Sequence, residues 1–445
     1  MSFWKIAWRN MQQRALASSL TGLSMALGVM LMILVIVIHE VTVDQFERDA
    51  QGYHLIVGGA KGGDVQLVMN TVFHIGQAIY PIPYSYYTDF VDGKYAPYTK
   101  AAVPYCIGDS YHKEGHKFRV IATTPDLFDK IAYGANDDGT DKRYEFSSGH
   151  NFAADHFFEA VIGSIVAAKT GMKVGDSFQP THGMSAGGDK HIEFEIVGIL
   201  APTGTSNDRA MFANMEGFFL LDGHALSAEA DSAEEADSHK PTGEVDPNDP
   251  NRGFQPLPEA QREVTAILVL CNDAFAPMTL DKKINKGKDR TAIAVMPGKV
   301  VQELLDNIIG PVRIVLFVLT LLIIIVAGIS ILVSIYNSMS ERSHDIAVMR
   351  ALGASRTAVM GIIMVESILL SLLGGIAGVL LGHAVIGLVS PGIEAHAGIV
   401  LKFWHFNWQE VWLIPGLVIF ASLVGFLPAL TAYRTDVGRA LGGGR

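Results

Sequence analysis

Cysteine is nearly missing: Cys106 and Cys271 are the two in a chain of 445 residues. One bridge at most could form, so a disulfide framework does not hold this fold together. A bonded pair and two buried thiols stand as equal alternatives. No G-x-x-x-x-G-K-[ST] segment occurs, since Gly287-Lys288 is followed by Asp289 and Gly298-Lys299 by Val300. A nucleotide-cradling loop of that kind is therefore excluded. The glycine-rich patches at 58–63 and 183–188 read as turns, not phosphate cradles. Acid is absent before residue 39.

Charge is also missing from four long apolar runs, about Leu16 to Ile38, Ile314 to Tyr336, Met360 to Leu388 (Glu366 excepted) and Val411 to Ala432. A bilayer core takes about 20 apolar residues in a helix, so each run is long enough to span. Mean hydropathy of +0.28 fits a membrane protein. The first run has a basic flank, but Val37-Ile38-His39-Glu40 offers no small-residue cleavage site, so an uncleaved anchor is expected. Lys5, Arg9 and Arg14, then Arg342, Arg350 and Arg356, then Arg434, Arg439 and Arg445 mark three cytoplasmic pieces by the positive-inside bias. Between residues 39 and 313 lie 39 of the 45 acids and 24 of the 34 bases, a net charge near −15. So acidic a segment argues against nucleic acid as a partner.

The expected architecture is an α-helical membrane protein with four transmembrane helices plus an α+β extracytoplasmic domain between helices 1 and 2. In order, the parts are an interfacial helix (1–15), span one (16–40), the extracytoplasmic domain with stalk helices (41–310) and span two (311–337). A cytoplasmic helical turn (338–356), span three (357–390), an extracytoplasmic loop (391–410), span four (411–433) and a cytoplasmic tail (434–445) follow. Trp4, Trp8, Lys5 and Arg9 suit a helix lying at the membrane surface. Pro311 is placed to kink the second stalk.

Within the outer domain, strands are predicted at Tyr53–Val57, Lys100–Ile107, Lys117–Ala122, Glu159–Ile165, Ile192–Leu200, Thr265–Cys271 and Thr291–Val295. Helical pieces fall at Val166–Thr170 and Met278–Asn285. Residues 222–262 interrupt this pattern. Ser227 to Pro250 holds eight acids, one base and almost no large apolar residue, which predicts a disordered acidic insertion. Calcium could bind acids, but these lack fixed ligand spacing. The densest metal-ligand group, Cys106, Asp109, His112 and His116, has its two histidines at helical spacing, yet Gly115 argues against a helix. Exposed hairpin histidines, and no metal, are the expectation.

Three features carry function. Ser338 to Arg356 joins two spans with a turn too polar for lipid and too helix-prone for a slack loop, ended by Gly353. Gly374, Gly378 and Gly382 recur every four residues, a spacing that lets helices approach closely in lipid, within the chain or in a dimer. Glu366 is an intramembrane acid, a functional flag; its plainer reading is a hydrogen bond to a neighbouring helix near the cytoplasmic face.

The motif Glu341-Arg342, Asp345-Ile346 and Arg350-Ala351-Leu352-Gly353-Ala354-Ser355-Arg356, followed by Glu366 and a glycine-rich span, resembles the signature of the FtsX-like permeases. That family includes the MacB-type exporters and the lipoprotein-releasing LolCDE permeases. Asp345 and Ala347 depart mildly from its usual Glu and Gly. Ala7-Trp8-Arg9-Asn10-Met11 resembles the family's entry helix. Glu159 to Ser164, Gly171 to Asp176 and Phe194 to Leu200 resemble the MacB-type periplasmic core. Leu427-Pro428-Ala429, Ala432-Tyr433-Arg434 and Asp436-Val437 resemble its C-terminus.

The resemblance implies a type VII ABC permease subunit, not itself an enzyme, in a bacterial cytoplasmic (inner) membrane. Such permeases form homodimers or heterodimers and pair through the 338–356 turn with a cytosolic ABC ATPase, which carries ATP and Mg²⁺. Glu341, Arg342, Asp345 and Arg350 would make ion pairs with it, while Ile346 and Met349 fill a groove. ATP-driven strokes would then move the outer domain (mechanotransmission) to export or extract a hydrophobic or amphipathic cargo such as a lipoprotein, lipid, peptide or drug. A membrane-fusion or other periplasmic protein is a further candidate partner. The alternatives are FtsX-like signalling to a cell-wall hydrolase, and a sensor that tethers a partner through the acidic insertion.

Overall fold

The computed structural model describes residues 3–76, 80–136, 140–183, 188, 190–221, 249–287, 291–341, 343–397 and 408–434. The chain divides into two compact units: Met1–Thr42 with Asn307–Glu394 and Val400–Arg445, and Val43–Asp306 with Ala395–Ile399.

The second unit is built on a mixed sheet. Its strands are β1 (Leu55–Gly59), β2 (Thr99–Lys113), β3 (His116–Thr123), β4 (Phe146–Gly149), β5 (Glu159–Ile162), β6 (Ser177–Phe178), β7 (Phe194–Leu200), β8 (Ala210–Asn214), β9 (Ala266–Cys271) and β10 (Ala292–Val295). The order across the sheet is β10-β1-β9-β2-β3-β8-β5-β7-β4, with β6 on β7. Pairing is antiparallel except between β3 and β8 and between β5 and β7. Residues two apart line one core face, as the pleat requires: Val120 and Ala122, Met211 and Ala213, Ile267 and Val269. Short helices, among them Gly63–Thr71, Ser164–Thr170 and Ala276–Asn285, complete an α+β unit.

The predicted β2–β3 hairpin forms, and β1, β5, β7, β9 and β10 fall within a few residues of expectation. Strands β4, β6 and β8 and the helix Gly63–Thr71 were not expected. The predicted disordered insertion needs correction at its C-terminal end. Residues 222–248 lie outside the described residues, but 249–262 are folded onto the sheet unit. Leu257 is buried, Asn251 Oδ1 accepts the Phe157 backbone N–H at 2.9 Å, and the Arg252 guanidinium sits 4.9 Å from the Phe158 ring centre. Arg262 pairs with Glu216 at 2.8 Å. A few anchoring side chains thus order a segment whose average composition is poor in apolar residues.

The long helices are α1 (Phe3–Gln13), α2 (Ala15–Asp49), α3 (Pro297–Leu304), α4 (Gly310–Glu341), α5 (Ser343–Ala351), α6 (Arg356–Ala397) and α7 (Leu413–Arg434). Among the described residues three helices are long and apolar enough to cross a membrane: Ala15–Asp49, Pro297–Asn337 and Arg356–Ile393. The fourth expected span is helical, but its apolar stretch, Pro415–Thr431, is shorter. Between α3 and α4 the backbone makes a π turn at Leu305–Ile309. Pro311, two residues on, lacks the N–H that a regular α-helix would bond back across this turn, which accounts for the irregularity. Helix α6 carries Pro391 and continues to Ala397, so the first residues of the expected 391–410 loop are helical. Residues 398–407 of that loop, and the tail beyond Arg434, lie outside the described residues.

Candidate transmission site and its helix contacts

Helix α5 ends in a tightly specified corner. At its C-terminal end the Ala354 N–H bonds to the Met349 carbonyl at 3.0 Å and the Gly353 N–H to the Arg350 carbonyl at 3.1 Å. Gly353 has φ +99°. This six-to-one and five-to-two pair closes a helix where only glycine turns left-handed at no steric cost. Ser355 then caps α6, its Oγ accepting the Ala358 N–H at 3.1 Å. Four residues, Leu352 to Ser355, separate the two helices, so α5 has little freedom to drift from α6.

The predicted coupling residues are distributed as follows. Glu341 ends α4, and Asp345, Ile346, Met349 and Arg350 lie on α5; Arg342 lies outside the described residues. Ile346 needs correction as a partner-facing residue. It is buried, as is Ala347 behind it, because the inner face of α5 packs into this unit. The exposed apolar groups are Val348 and above all Leu352, 85% exposed. The family resemblance implied that Ile346 fills a groove of the ATPase, but its face of α5 is the inward one. Arg356 lies 5.8 Å from the Tyr433 ring centre, a cation–π contact joining the charged turn to the C-terminal motif.

The glycine stripe of α6 meets α2 within this chain. A Cβ on Gly374 would lie 2.8 Å from the Gly22 carbonyl oxygen and 2.8 Å from the Met25 Cβ. One on Gly378 would lie 2.5 Å from the Ala26 carbonyl oxygen, and one on Gly382 2.9 Å from the Ile33 side chain. Of the two uses weighed for the stripe, the intrachain one is thus occupied. Ser367 Oγ adds an interhelical bond to the Ala421 carbonyl of α7 at 2.8 Å.

Glu366 is buried, and the Asn10 amide of α1 donates to its Oε2 at 3.5 Å. That favours the plainer reading of this acid, a helix-to-helix bond. It also joins the entry-helix motif to the segment after the charged turn. Sequence reasoning missed a second buried acid, Glu410, 3.0 Å from His383 Nε2. A histidine inside a glycine-rich span was the available signal.

The histidine-rich hairpin group does not gather as one site. Cys106 donates through Sγ to the Glu263 carbonyl at 3.1 Å, His112 bonds Ser110 Oγ at 2.9 Å, and Asp109 lies instead with His182 and His191. Both cysteines are free and buried. Burial pushes the Cys106 thiol far up and the Cys271 thiol up to about 11, so neither is a ready thiolate. A Gly-x-Ser-x-Gly spacing does occur at Gly183-Met184-Ser185-Ala186-Gly187. Residues 184–187 lie outside the described residues, and the flanking residues Thr181 and Lys190 bridge each other rather than framing a strand-to-helix elbow.

Two family models match the chain: MacB-like periplasmic core domain over residues 18–252 and FtsX-like permease C-terminal over residues 317–437. The chain is similar to an uncharacterized ABC transporter permease of Methanocaldococcus jannaschii, 35% identical over 120 residues, 25% of this chain and 29% of that protein. It is similar also to the macrolide export ATP-binding/permease protein MacB of Bordetella avium, 24% identical over 180 residues, 40% of this chain and 27% of that protein. These matches span less than a third of either relative's length. The solved extracellular domain of the noncanonic ABC-type transporter YknZ from Gram-positive bacteria aligns at 12% identity and a TM-score of 0.30, over 55% of this chain and 99% of that one, a likeness too slight to carry weight.

Proposed function

Because the chain belongs to the MacB/FtsX-like family of ABC transporter permeases, we propose that it is the membrane subunit through which a separate cytosolic ABC ATPase drives movement of the sheet unit outside the membrane. The observation that carries this reading is the α5 corner. A short helix, closed at its C-terminal end by capping bonds and followed at once by the exposed Leu352, joins two apolar helices inside the segment that the permease model matches.

In this reading α2, α4, α6 and α7 are four spans of a bacterial cytoplasmic membrane, with α1 at its inner surface. Arg350, Met349, Glu341, Arg342 and Asp345, together with Leu352 and Val348, form the ATPase-facing surface. ATP and Mg²⁺ sit on the partner. Packing of Gly374, Gly378 and Gly382 against α2 makes α2 and α6 move as one body, so a push at α5 is carried along both. The cargo class is hydrophobic or amphipathic, and the working assembly is a dimer of this chain or of this chain and a related permease. A membrane-fusion or other periplasmic protein completes an export path.

Pull-down of the solubilised chain from its native membrane, with mass spectrometry, tests this. An ABC ATPase should co-purify, and Arg350→Glu should abolish its recovery without loss of membrane insertion. A membrane-fusion protein alongside supports export. A peptidoglycan hydrolase in its place would support signalling to the cell wall. No ATPase, even after cross-linking, would sink both readings.

A further inference from the structure

Asp109 sits on β2 just after an irregularity, where the pairing register with β3 shifts between Ile107 and Asp109. The next residue, Ser110, pairs with Thr181 through two backbone bonds of 3.1 and 2.8 Å, and Thr181 in turn bridges Lys190. Three backbone segments therefore lie side by side at residues 110, 181 and 190. Each is followed or preceded at once by a metal-ligating residue: Asp109, His182 and His191. The Gly183 N–H reaches Asp109 Oδ1 at 3.4 Å, and Ser110 Oγ donates to the Gly183 carbonyl at 2.6 Å, holding residues 181–183 in place.

The side chains converge. One ligand atom from each of the three lies within 4.8 Å of the others. His191 Nε2 is 3.4 Å from Asp109 Oδ2, and His182 Nδ1 is 3.8 Å from Asp109 Oδ1. A direct N–H···O bond would bring such atoms to about 2.7–3.2 Å. Both separations are longer than that. Bonds of about 2.0–2.1 Å to imidazole nitrogen and carboxylate oxygen place neighbouring corners of a tetrahedron about 3.3–3.4 Å apart; the His191–Oδ2 pair already has that spacing, and His182, on the other carboxylate oxygen at 3.8 Å, reaches it by a small turn of its exposed side chain. The Asp109 and His191 side chains are 0% and 4% exposed, whereas His182 is 53% exposed. Two ligands are thus held from within and the third closes from the surface.

We propose that Asp109, His182 and His191 bind a single divalent transition-metal ion of the zinc class. Two imidazoles and one carboxylate are borderline donors suited to zinc rather than to calcium or magnesium, which take all-oxygen shells. Three protein ligands leave a fourth position for water or for a group brought by a partner. A bound ion would clip the segments at His182 and His191 to the β2–β3 hairpin. The site lies in the sheet unit and does not depend on the coupling role of α5.

The test uses the full chain in detergent, without a polyhistidine tag and stripped by chelator, titrated with Co²⁺ and then Zn²⁺. Expected are one Co²⁺ per chain with visible d–d bands of a tetrahedral site, bleached by one equivalent of Zn²⁺. His182→Ala changes a largely exposed residue and should fold with an unchanged melting temperature in the absence of metal. It should weaken binding by about 100-fold, since even residues that only support ligands cost about 10- to 100-fold. Asp109→Asn, which keeps the shape of the buried side chain, should weaken it as much. Zinc should raise the melting temperature of the parent chain but of neither variant. Absence of stoichiometric binding, or the same affinity in His182→Ala as in the parent, would overturn the assignment; the latter would place the metal on other groups, such as the histidines and acids of 222–248.

Discussion

Glycine serves opposite purposes in the two units. In the sheet unit it turns the chain: Gly149 closes β4 at φ +72° with the Val197 carbonyl against it, and Gly171 ends the helix Ser164–Thr170 at φ +68°. In the helical unit Gly374, Gly378 and Gly382 keep ordinary helical backbone and matter for the atoms they omit. Water-driven burial assembles the sheet unit, where apolar side chains supply the energy. Lipid tails remove that drive between helices, so close backbone contact must supply it instead. The same residue is therefore a backbone device in one unit and a packing device in the other.

This contrast can be broken by substitution. Gly378→Val should have the largest effect. Its Cβ would lie 2.5 Å from the Ala26 carbonyl oxygen, and overpacking between two helix backbones should cost about 3 kcal/mol or more. Gly416→Val on α7, where a Cβ meets nothing within 4 Å, should change stability by less than about 0.5 kcal/mol. Thermal melts in detergent report both, and equal losses would mean the stripe does not pack as described. In the sheet unit Gly149→Ala should cost about 2–3 kcal/mol, because left-handed strain and a carbonyl clash add. Gly171→Ala has the strain without the clash, since nothing lies within 4 Å, and should cost about 1 kcal/mol.

Between these in size is an effect of acid on the sheet unit alone. His74 is half-buried against the sheet unit, and its desolvation, then the charges of Arg119 and Arg209, push its pKa down to about 3. Arg119 also donates to the His74 carbonyl at 3.3 Å. The native state keeps this ring neutral, while the unfolded chain protonates it near its ordinary value of about 6.5. Below that pH the unfolded state binds more protons, so stability falls as pH drops from about 6.5 toward 3. The loss is roughly 2 kcal/mol by pH 5. His74→Asn, tolerant of the local φ of +57°, should flatten that dependence in melts taken across this range. An unchanged slope would show that other groups carry it.

Legibility in the sequence also divides by unit. Strand β7, Phe194–Leu200, keeps a mostly buried run with Glu195 exposed, and strands β9 and β10 are equally plain. Strand β8 was invisible because Ala210 to Asn214 are all buried between β3 and β5, which erases alternation. The helix Gly63–Thr71 hid behind a glycine-rich start that reads as turn. In the helical unit, apolar length announced the long helices and the four-residue glycine repeat announced a close-packed face, though not which helix it meets. The facing of α5 was not legible, because nine residues with apolar groups on two sides fit either orientation. Asp109 was noticed, but its neighbours His182 and His191 are more than 70 residues away, brought in by backbone pairing that no local pattern reveals.

The most direct measurement is site-specific photocross-linking in cells from Leu352→Cys, with Val174→Cys of the sheet unit as the comparison. Both positions are exposed, at 85% and 40%, and the native thiols are buried, so a photoreactive maleimide reports the introduced sites. The account predicts an adduct with a cytosolic ABC ATPase from position 352 and none from position 174. An ATPase adduct from 174, or its absence from 352, would contradict the assignment of α5 as the surface that receives the ATPase stroke.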